Sequence, residues 1–166
     1  ILRLTLNDLS NKNALSELMM QKLINAITEA SKDKSVKVIV IASTGNVFCS
    51  GHNLKEINEA RKADDDGKSY YLELFTTCSS LMKLIVNCGK PVIAEVNGIA
   101  TAAGCQLVAS CDLAIASNTA KFATPGVNIG LFCATPMVAL SRNVSNKNSM
   151  KMLLTGDMIN ADEAKR

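Results

Sequence analysis

At 166 residues the chain can bury a core of its own as one domain, and a hydrophobic content of 48% separates it from disordered and fibrous chains. Its 18 basic and 15 acidic residues leave a net charge of +3 with no block of like sign, and no tryptophan and only two tyrosines and four phenylalanines are available to stack bases. A nucleic-acid partner therefore has no support, and no apolar run reaches the ~20 residues of a membrane span.

Leu2–Leu6 alternates apolar residues and predicts a strand. Ser16 can cap a helix running to about Lys32, with Met20, Leu23, Ile24 and Ile27 on one face. Val36–Ile41 is β-branched and almost wholly apolar, which predicts a strand covered on both faces. Between Ala60 and Ser69 the charged run from Arg61 to Lys68 predicts a mobile surface loop. Apolar residues then recur at helical spacing from Tyr70 to Cys88 and stop at Gly89–Lys90–Pro91. Val92–Val96 reads as the next strand, Asn97–Gly98 as a turn, Ala103–Ser110 as a small-residue helix, and Leu113–Ala116 and Lys121–Ala123 as strands. Ser141–Leu154 reads as mostly helical, and Ala161–Arg166 as the opening of a further helix. Strands alternating with helices imply an α/β domain with a largely parallel sheet. Because the chain starts at Ile1 and stops inside a helical pattern, we expect a piece of a longer protein, any targeting peptide lying outside it.

Most chemical signatures are missing. There is no G-x-G-x-x-G, no G-x-x-x-x-G-K-[ST] and no G-x-S-x-G. The six cysteines form no C-x-x-C pair and no metal spacing with the single histidine, His52, so they read as small core hydrophobes in a reducing, intracellular compartment, and no metal site is expected.

What remains is two small-residue turns, Ser50–Gly51–His52–Asn53–Leu54 and Thr101–Ala102–Ala103–Gly104–Cys105–Gln106–Leu107, each following an apolar strand. Glycine and alanine leave backbone N–H groups open to a ligand, and two converging N–H donors make an oxyanion hole for an acyl oxygen. The alternative is that Ala102–Gly104 only lets a helix pack tightly on a sheet. Other polar residues also have two readings. Asp112 fits a capping or turn residue, and Glu95 an inward polar group with a partner or an edge residue. Cys105, near a helix start, fits a thioester nucleophile or core filler, and the His52 imidazole is either chemical or incidental to its backbone.

Phe48–Glu56, Lys90–Gly98 and Ala103–Leu107 followed by Ser110–Cys111–Asp112 resemble the crotonase (enoyl-CoA hydratase/isomerase) superfamily, and the likeness runs from Leu4–Asn7 and Lys12–Leu15 to Thr155–Gly156. The resemblance implies an α/β crotonase-type spiral of ββα turns over residues 1–166. It implies that the first strand is incomplete and that the C-terminal trimerisation helices lie beyond Arg166. It further implies an acyl-CoA ligand without a permanently bound cofactor, a homotrimer or hexamer, and a mitochondrial location. Carried over by position, the oxyanion donors are the N–H groups of His52 and Ala103. Lys12, Ala14, His52, Asn53, Leu54, Lys55 and Gly104 would hold coenzyme A, Asn53 replacing an aspartate common in the family.

The two glutamates with which hydratases of this family hold and deprotonate water align with Gln106 and Gly126. An amide has no usable basicity and glycine has no side chain. Nothing downstream substitutes, since Leu113–Gly156 contains no Asp or Glu. The expectation is an acyl-CoA-binding protein of fatty-acid metabolism that keeps the oxyanion hole and lacks the hydratase base, so that Gln106→Glu with Gly126→Glu together should raise hydration. The alternatives are an acyl-CoA hydratase, isomerase or thioester hydrolase using another polar group, and a structural subunit without CoA binding.

Overall fold

A computed structural model describes residues 1–166. The strand β1, Leu2–Leu6, is followed by a short 3-10 turn and helix α1, Glu17–Lys32, whose first turn is capped by Ser16 accepting from the Met19 N–H. Then come β2 (Ile39–Ser43), β3 (Val47–Cys49), α2 (Leu54–Ala60) and α3 (Lys68–Val86). The next coil is β4 (Val92–Val96), β5 (Ile99–Thr101) and α4 (Ala103–Ser110). The last comprises β6 (Leu113–Ala116), β7 (Lys121–Ala123), α5 (Ala134–Asn143), α6 (Asn146–Thr155), β8 (Ile159–Asn160) and α7 (Ala161–Lys165).

Two four-stranded sheets result, ordered β1-β2-β4-β6 and β3-β5-β7-β8. All pairings are parallel except β7 with β8. Each coil gives its first strand to one sheet, its second to the other, and then a helix, so the chain advances as the expected spiral of ββα turns. The core lies between the sheets and the helices, around Met20, Ile27, Ile41, Phe48, Leu81 and Leu107.

Several expectations need correction. One sheet becomes two, because the short β3, β5 and β8 join β7 in a second. The second strand starts at Ile39 and not at Val36, since the Val36 N–H closes a turn onto the Asp33 carbonyl. Nor is that strand covered on both faces: Ile39 and Ile41 are buried while Val40 is only half-buried. The open face of this sheet also carries Glu95, whose partner is Arg3, with Nη1 donating to Oε2 over 2.8 Å. Residues 61–67 form successive turns, and Asp65 closes them by accepting from the Gly67 N–H (3.0 Å) and the Ser69 N–H (2.8 Å). The predicted helix Ser141–Leu154 is broken at extended Val144 into α5 and α6.

Candidate functional site

The two sequence-predicted turns meet. Strands β3 and β5 run parallel, so their C-terminal ends open on the same side of the sheet. At the first, Gly51 has φ +95°, and a Cβ there would stand 2.9 Å from Ala102 Cβ, 3.2 Å from the Thr101 carbonyl and 3.3 Å from the Ala103 nitrogen. Only a glycine allows that approach, both for its backbone angle and for its lack of a side chain. Thr101 Oγ1 ties the turns further by donating to the Ser50 carbonyl over 3.1 Å. At the second turn Gly104 lies against β3, where a Cβ would be 2.2 Å from the Cys49 carbonyl oxygen.

Ala103 is the first residue of α4, where N–H groups have no partner within the helix and the helix dipole is positive. The preceding residue, Ala102, has φ 50° and ψ −122°, a conformation that a side chain disfavours. It is held there by its N–H donating to the Ala123 carbonyl and by its carbonyl accepting from the Gln106 N–H, each at 3.0 Å.

A third segment, in which sequence reasoning singled out Lys12 and Ala14 but not Asn13, supports the first turn. Lys12 and Asn13 both have left-handed backbones, at φ 54° and 53°. Asn13 is fully buried: its Oδ1 accepts from the Asp8 N–H (2.8 Å), and its Nδ2 donates to the carbonyls of Thr44 (3.0 Å) and Val47 (2.7 Å). It thereby clamps the segment 8–15 to the β2–β3 turn, and from there the Leu15 N–H reaches the Gly51 carbonyl over 2.8 Å. The only signal in the sequence is an asparagine before Ala14, a residue type that tolerates φ > 0. Replacing Asn13 by alanine should cost about 3 kcal/mol, roughly one per lost hydrogen bond, as read by urea unfolding; a loss below about 1 kcal/mol would contradict the clamp.

Between this segment and α2 lies a cleft of 310 Å³ lined by Ser10, Asn11, Lys12, Ala14, Ser50, His52, Asn53, Leu54 and Lys55. It gathers every expected coenzyme-binding residue except Gly104 and contains no acid. Lys55 Nζ donates to Asn11 Oδ1 over 3.3 Å. Asn53 caps α2 by accepting from the Lys55 N–H over 3.1 Å, a task aspartate would perform equally well.

The His52 ring packs edge-on against Phe75 of α3, with centroids 5.5 Å apart, and neither of its nitrogens meets a protein partner. Burial pushes the imidazole below its ordinary value of 6.5. Folded protein then binds fewer protons at His52 than unfolded protein does, so stability is full above about pH 6.5 and falls as pH drops below it. Asp8, Asp33, Asp65 and Glu95 are held below the usual carboxylate range by hydrogen bonds, to Asn11, Ser35, Ser69 and Arg3 respectively, so they weaken the fold only in more acidic solution. The melting temperature should decline between about pH 6.5 and pH 5 in the wild type and stay flat there in His52→Gln; a wild-type curve flat over that window would refute the buried neutral imidazole.

Gln106 sits one turn past Ala103 and is 7% exposed, with its Oε1 buried and unpartnered. It forms part of the wall of an 820 Å³ groove between α3, α4 and α5, together with Ser79, Met82, Ala109, Thr135 and Val138. Gly126 lines neither this groove nor the cleft. It lies in a 3-10 turn, Pro125–Ile129, where a Cβ would stand 2.5 Å from the Leu131 carbonyl oxygen and 2.8 Å from Cys133 Sγ. The expectation that a glutamate could simply be restored at this position therefore fails for want of space.

Other candidates resolve as structural. Burial pushes the Cys105 thiol up to about 12, which removes it as a nucleophile near neutral pH. Asp112 Oδ2 accepts from the Val92 N–H over 2.7 Å and so pins the start of β4. The six cysteines are unpaired, five of them buried. No group of three His, Cys, Asp or Glu side chains converges as metal ligands, and no helix is long and apolar enough to cross a membrane.

Comparison with known proteins agrees with this geometry. The family model described as enoyl-CoA hydratase/isomerase matches residues 1–166. The chain is 53% identical over 164 residues to enoyl-CoA hydratase domain-containing protein 3, mitochondrial, of Xenopus laevis, covering 99% of this chain and 54% of that protein. Against the Homo sapiens protein of the same name identity is 50% over 164 residues, covering 99% and 52%. The crystal structure of the human protein superposes with a TM-score of 0.91 at 49% identity, and that of an enoyl-CoA hydratase of Mycobacterium smegmatis with 0.91 at 50%; each match covers 98% of this chain and 62% of the other. The chain thus spans about half the length of the curated relatives it matches.

Proposed function

The chain belongs to the enoyl-CoA hydratase/isomerase family, and from that premise we propose that it binds acyl-CoA thioesters in an oxyanion hole while lacking the base that hydration needs. The observation that carries this reading is the junction of the two turns: a Cβ on Gly51 would stand 2.9 Å from Ala102 Cβ and 3.3 Å from the Ala103 nitrogen, beside a cleft lined by Lys12 and Lys55. A thioester oxygen held by the His52 and Ala103 N–H groups gains on the order of 3 kcal/mol per donor as charge develops on it. The cleft accepts the nucleotide end of coenzyme A, and Gly104 brings the start of α4 close enough to β3 for the donors to converge. No cofactor is retained.

Gln106 stands where a family base would stand, and its amide can orient water without taking its proton. The one acid on the groove wall, Asp112, accepts from the Val92 N–H, the cleft has no acid, and Glu95 is paired with Arg3. The mitochondrial location and homotrimeric or hexameric assembly of the whole protein belong to the same proposal; the names of the relatives support the first.

Calorimetry with butyryl-CoA tests the reading. Binding is expected, and complete absence of binding would leave only a structural role. Lys12→Gln with Lys55→Gln should weaken butyryl-CoA several-fold at low ionic strength, with the difference shrinking in about 0.5 M salt, because exposed lysines act through screened Coulomb attraction. A loss that salt leaves unaltered would contradict phosphate contact at these lysines.

A further inference from the structure

Four residues other than glycine have a positive φ: Lys12, Asn13, Asp66 and Ala102. Asparagine and aspartate tolerate it, and Lys12 has ψ 41°, inside the left-handed helical region. Ala102 differs. At φ 50° and ψ −122° it has the geometry of the first central residue of a type II′ turn, a position that glycine dominates. Its methyl has room because Gly51 lacks one, since a Cβ on Gly51 would stand 2.9 Å from Ala102 Cβ. Nothing in its own side chain relieves the strain, because alanine has no polar atom with which to bond the turn.

We propose that the Ala102–Ala103 peptide is a two-state donor: the ligand-free protein exchanges between the present orientation and a flipped one, and an acyl oxygen selects the first. The inference rests on the acyl-CoA reading and adds what limits affinity, with Ala102 as the positioning residue. At constant φ, Ala102 is relieved by rotating ψ nearly half a turn, to about +47° in the left-handed helical region that Lys12 already occupies. That rotation leaves the Ala102 N–H on the Ala123 carbonyl (3.0 Å). Of the two hydrogen bonds of Ala102, it breaks the one from the Gln106 N–H to its carbonyl (3.0 Å). ψ of Ala102 is also the torsion that aims the next N–H. The flip therefore swings the Ala103 N–H out of the site and turns the Ala102 carbonyl into its place, where it repels an acyl oxygen. One backbone hydrogen bond and the strain it offsets are of similar size, so both orientations are populated. A ligand that binds one of them has its affinity reduced by the fraction populated.

Ala102→Gly removes the strain and keeps both donors, so it separates positioning from mere packing. It should raise the melting temperature by about 2–4 °C and tighten butyryl-CoA at least about threefold in calorimetry. Ala102→Val, β-branched at a positive φ, should reverse both effects. Nitrogen relaxation dispersion reads the flip itself. Without ligand, the Ala103 amide of the wild type should show microsecond-to-millisecond exchange, which disappears in Ala102→Gly and on saturation with butyryl-CoA. If Ala102→Val does not fold, Ala102→Gly alone gives the answer. A melting temperature that rises while affinity stays constant would make Ala102 structural and overturn the proposal. An unchanged melting temperature, weaker binding by Ala102→Gly, or an Ala103 amide without exchange would overturn it too. If no variant binds butyryl-CoA, the acyl-CoA reading falls, and the exchange at Ala103 still decides whether the peptide flips.

Discussion

Wild-type protein given crotonyl-CoA is expected to hydrate it about 10²–10⁴-fold more slowly than a family member with both carboxylates, the range that general-base help supplies. On the proposed reading the two backbone donors would still polarise the thioester, so binding is expected to survive while turnover is not. Gln106→Glu should raise the rate at least about tenfold, because that side chain already borders the groove one turn from Ala103. Adding Gly126→Glu should undo this gain. Its Cβ would enter the space of the Leu131 carbonyl and Cys133 Sγ, and Leu131 is itself fastened by its N–H donating to the Gly126 carbonyl over 2.9 Å. The double variant should be less active and less stable than Gln106→Glu, as read by hydration rate and melting temperature. Efficient hydration by the unmutated protein would falsify this account, since a base at neither Gln106 nor Gly126 would then have to act.

The second large effect concerns one methyl group. Gly104→Ala should destabilise the protein by roughly 3 kcal/mol or more and abolish acyl-CoA binding. The added Cβ would lie 2.2 Å from the Cys49 carbonyl oxygen and 2.8 Å from Cys49 Cβ, and a strand backbone cannot rotate away as a flexible side chain does. Relief requires α4 to lift off β3, which separates the Ala103 N–H from the Gly51–His52 turn. Gly89→Ala is the matched control: a Cβ there meets nothing within 4 Å, and its effect should be within about 0.5 kcal/mol. Near-wild-type melting and calorimetry for Gly104→Ala would show that the two turns need not touch.

Elements with a sustained pattern were legible in the sequence. Helix α1 announces itself by the Ser16 cap and the apolar residues of one face, and β4 by a run that is apolar apart from Glu95. The second sheet was not, because β3 and β5 have three residues each and β8 two, too few to show a period. These strands exist because partners some fifty residues away in the chain hold them, as Val47 pairs with Ile99. Helix α2 buries no residue, so it offered no apolar stripe. At the site, small-residue spacing and family resemblance located both turns and the cleft. Hidden from the sequence were the crowding at Gly126, the clamp at Asn13 and the ring of Phe75 over His52. The Asn13 clamp depends on separate coils stacking, whereas the crowding at Gly126 and the Phe75 contact join residues of one coil through turns that carry no periodic pattern.

That stacking also sets the order in which the site can form. Because successive strands alternate between sheets, every ladder must close a long stretch of chain: Ile39 pairs with Val92, and Ile93 with Leu113. Contacts so distant along the chain slow the search for the native state, so folding should fall nearer the second than the microsecond timescale. The Gly51 and Ala103 turns belong to different coils, so neither coil alone can assemble the proposed pair of N–H donors. A nascent chain that has emerged only as far as Gly98 has the first of the proposed donors but not the second, and is not expected to gain stability from an acyl-CoA.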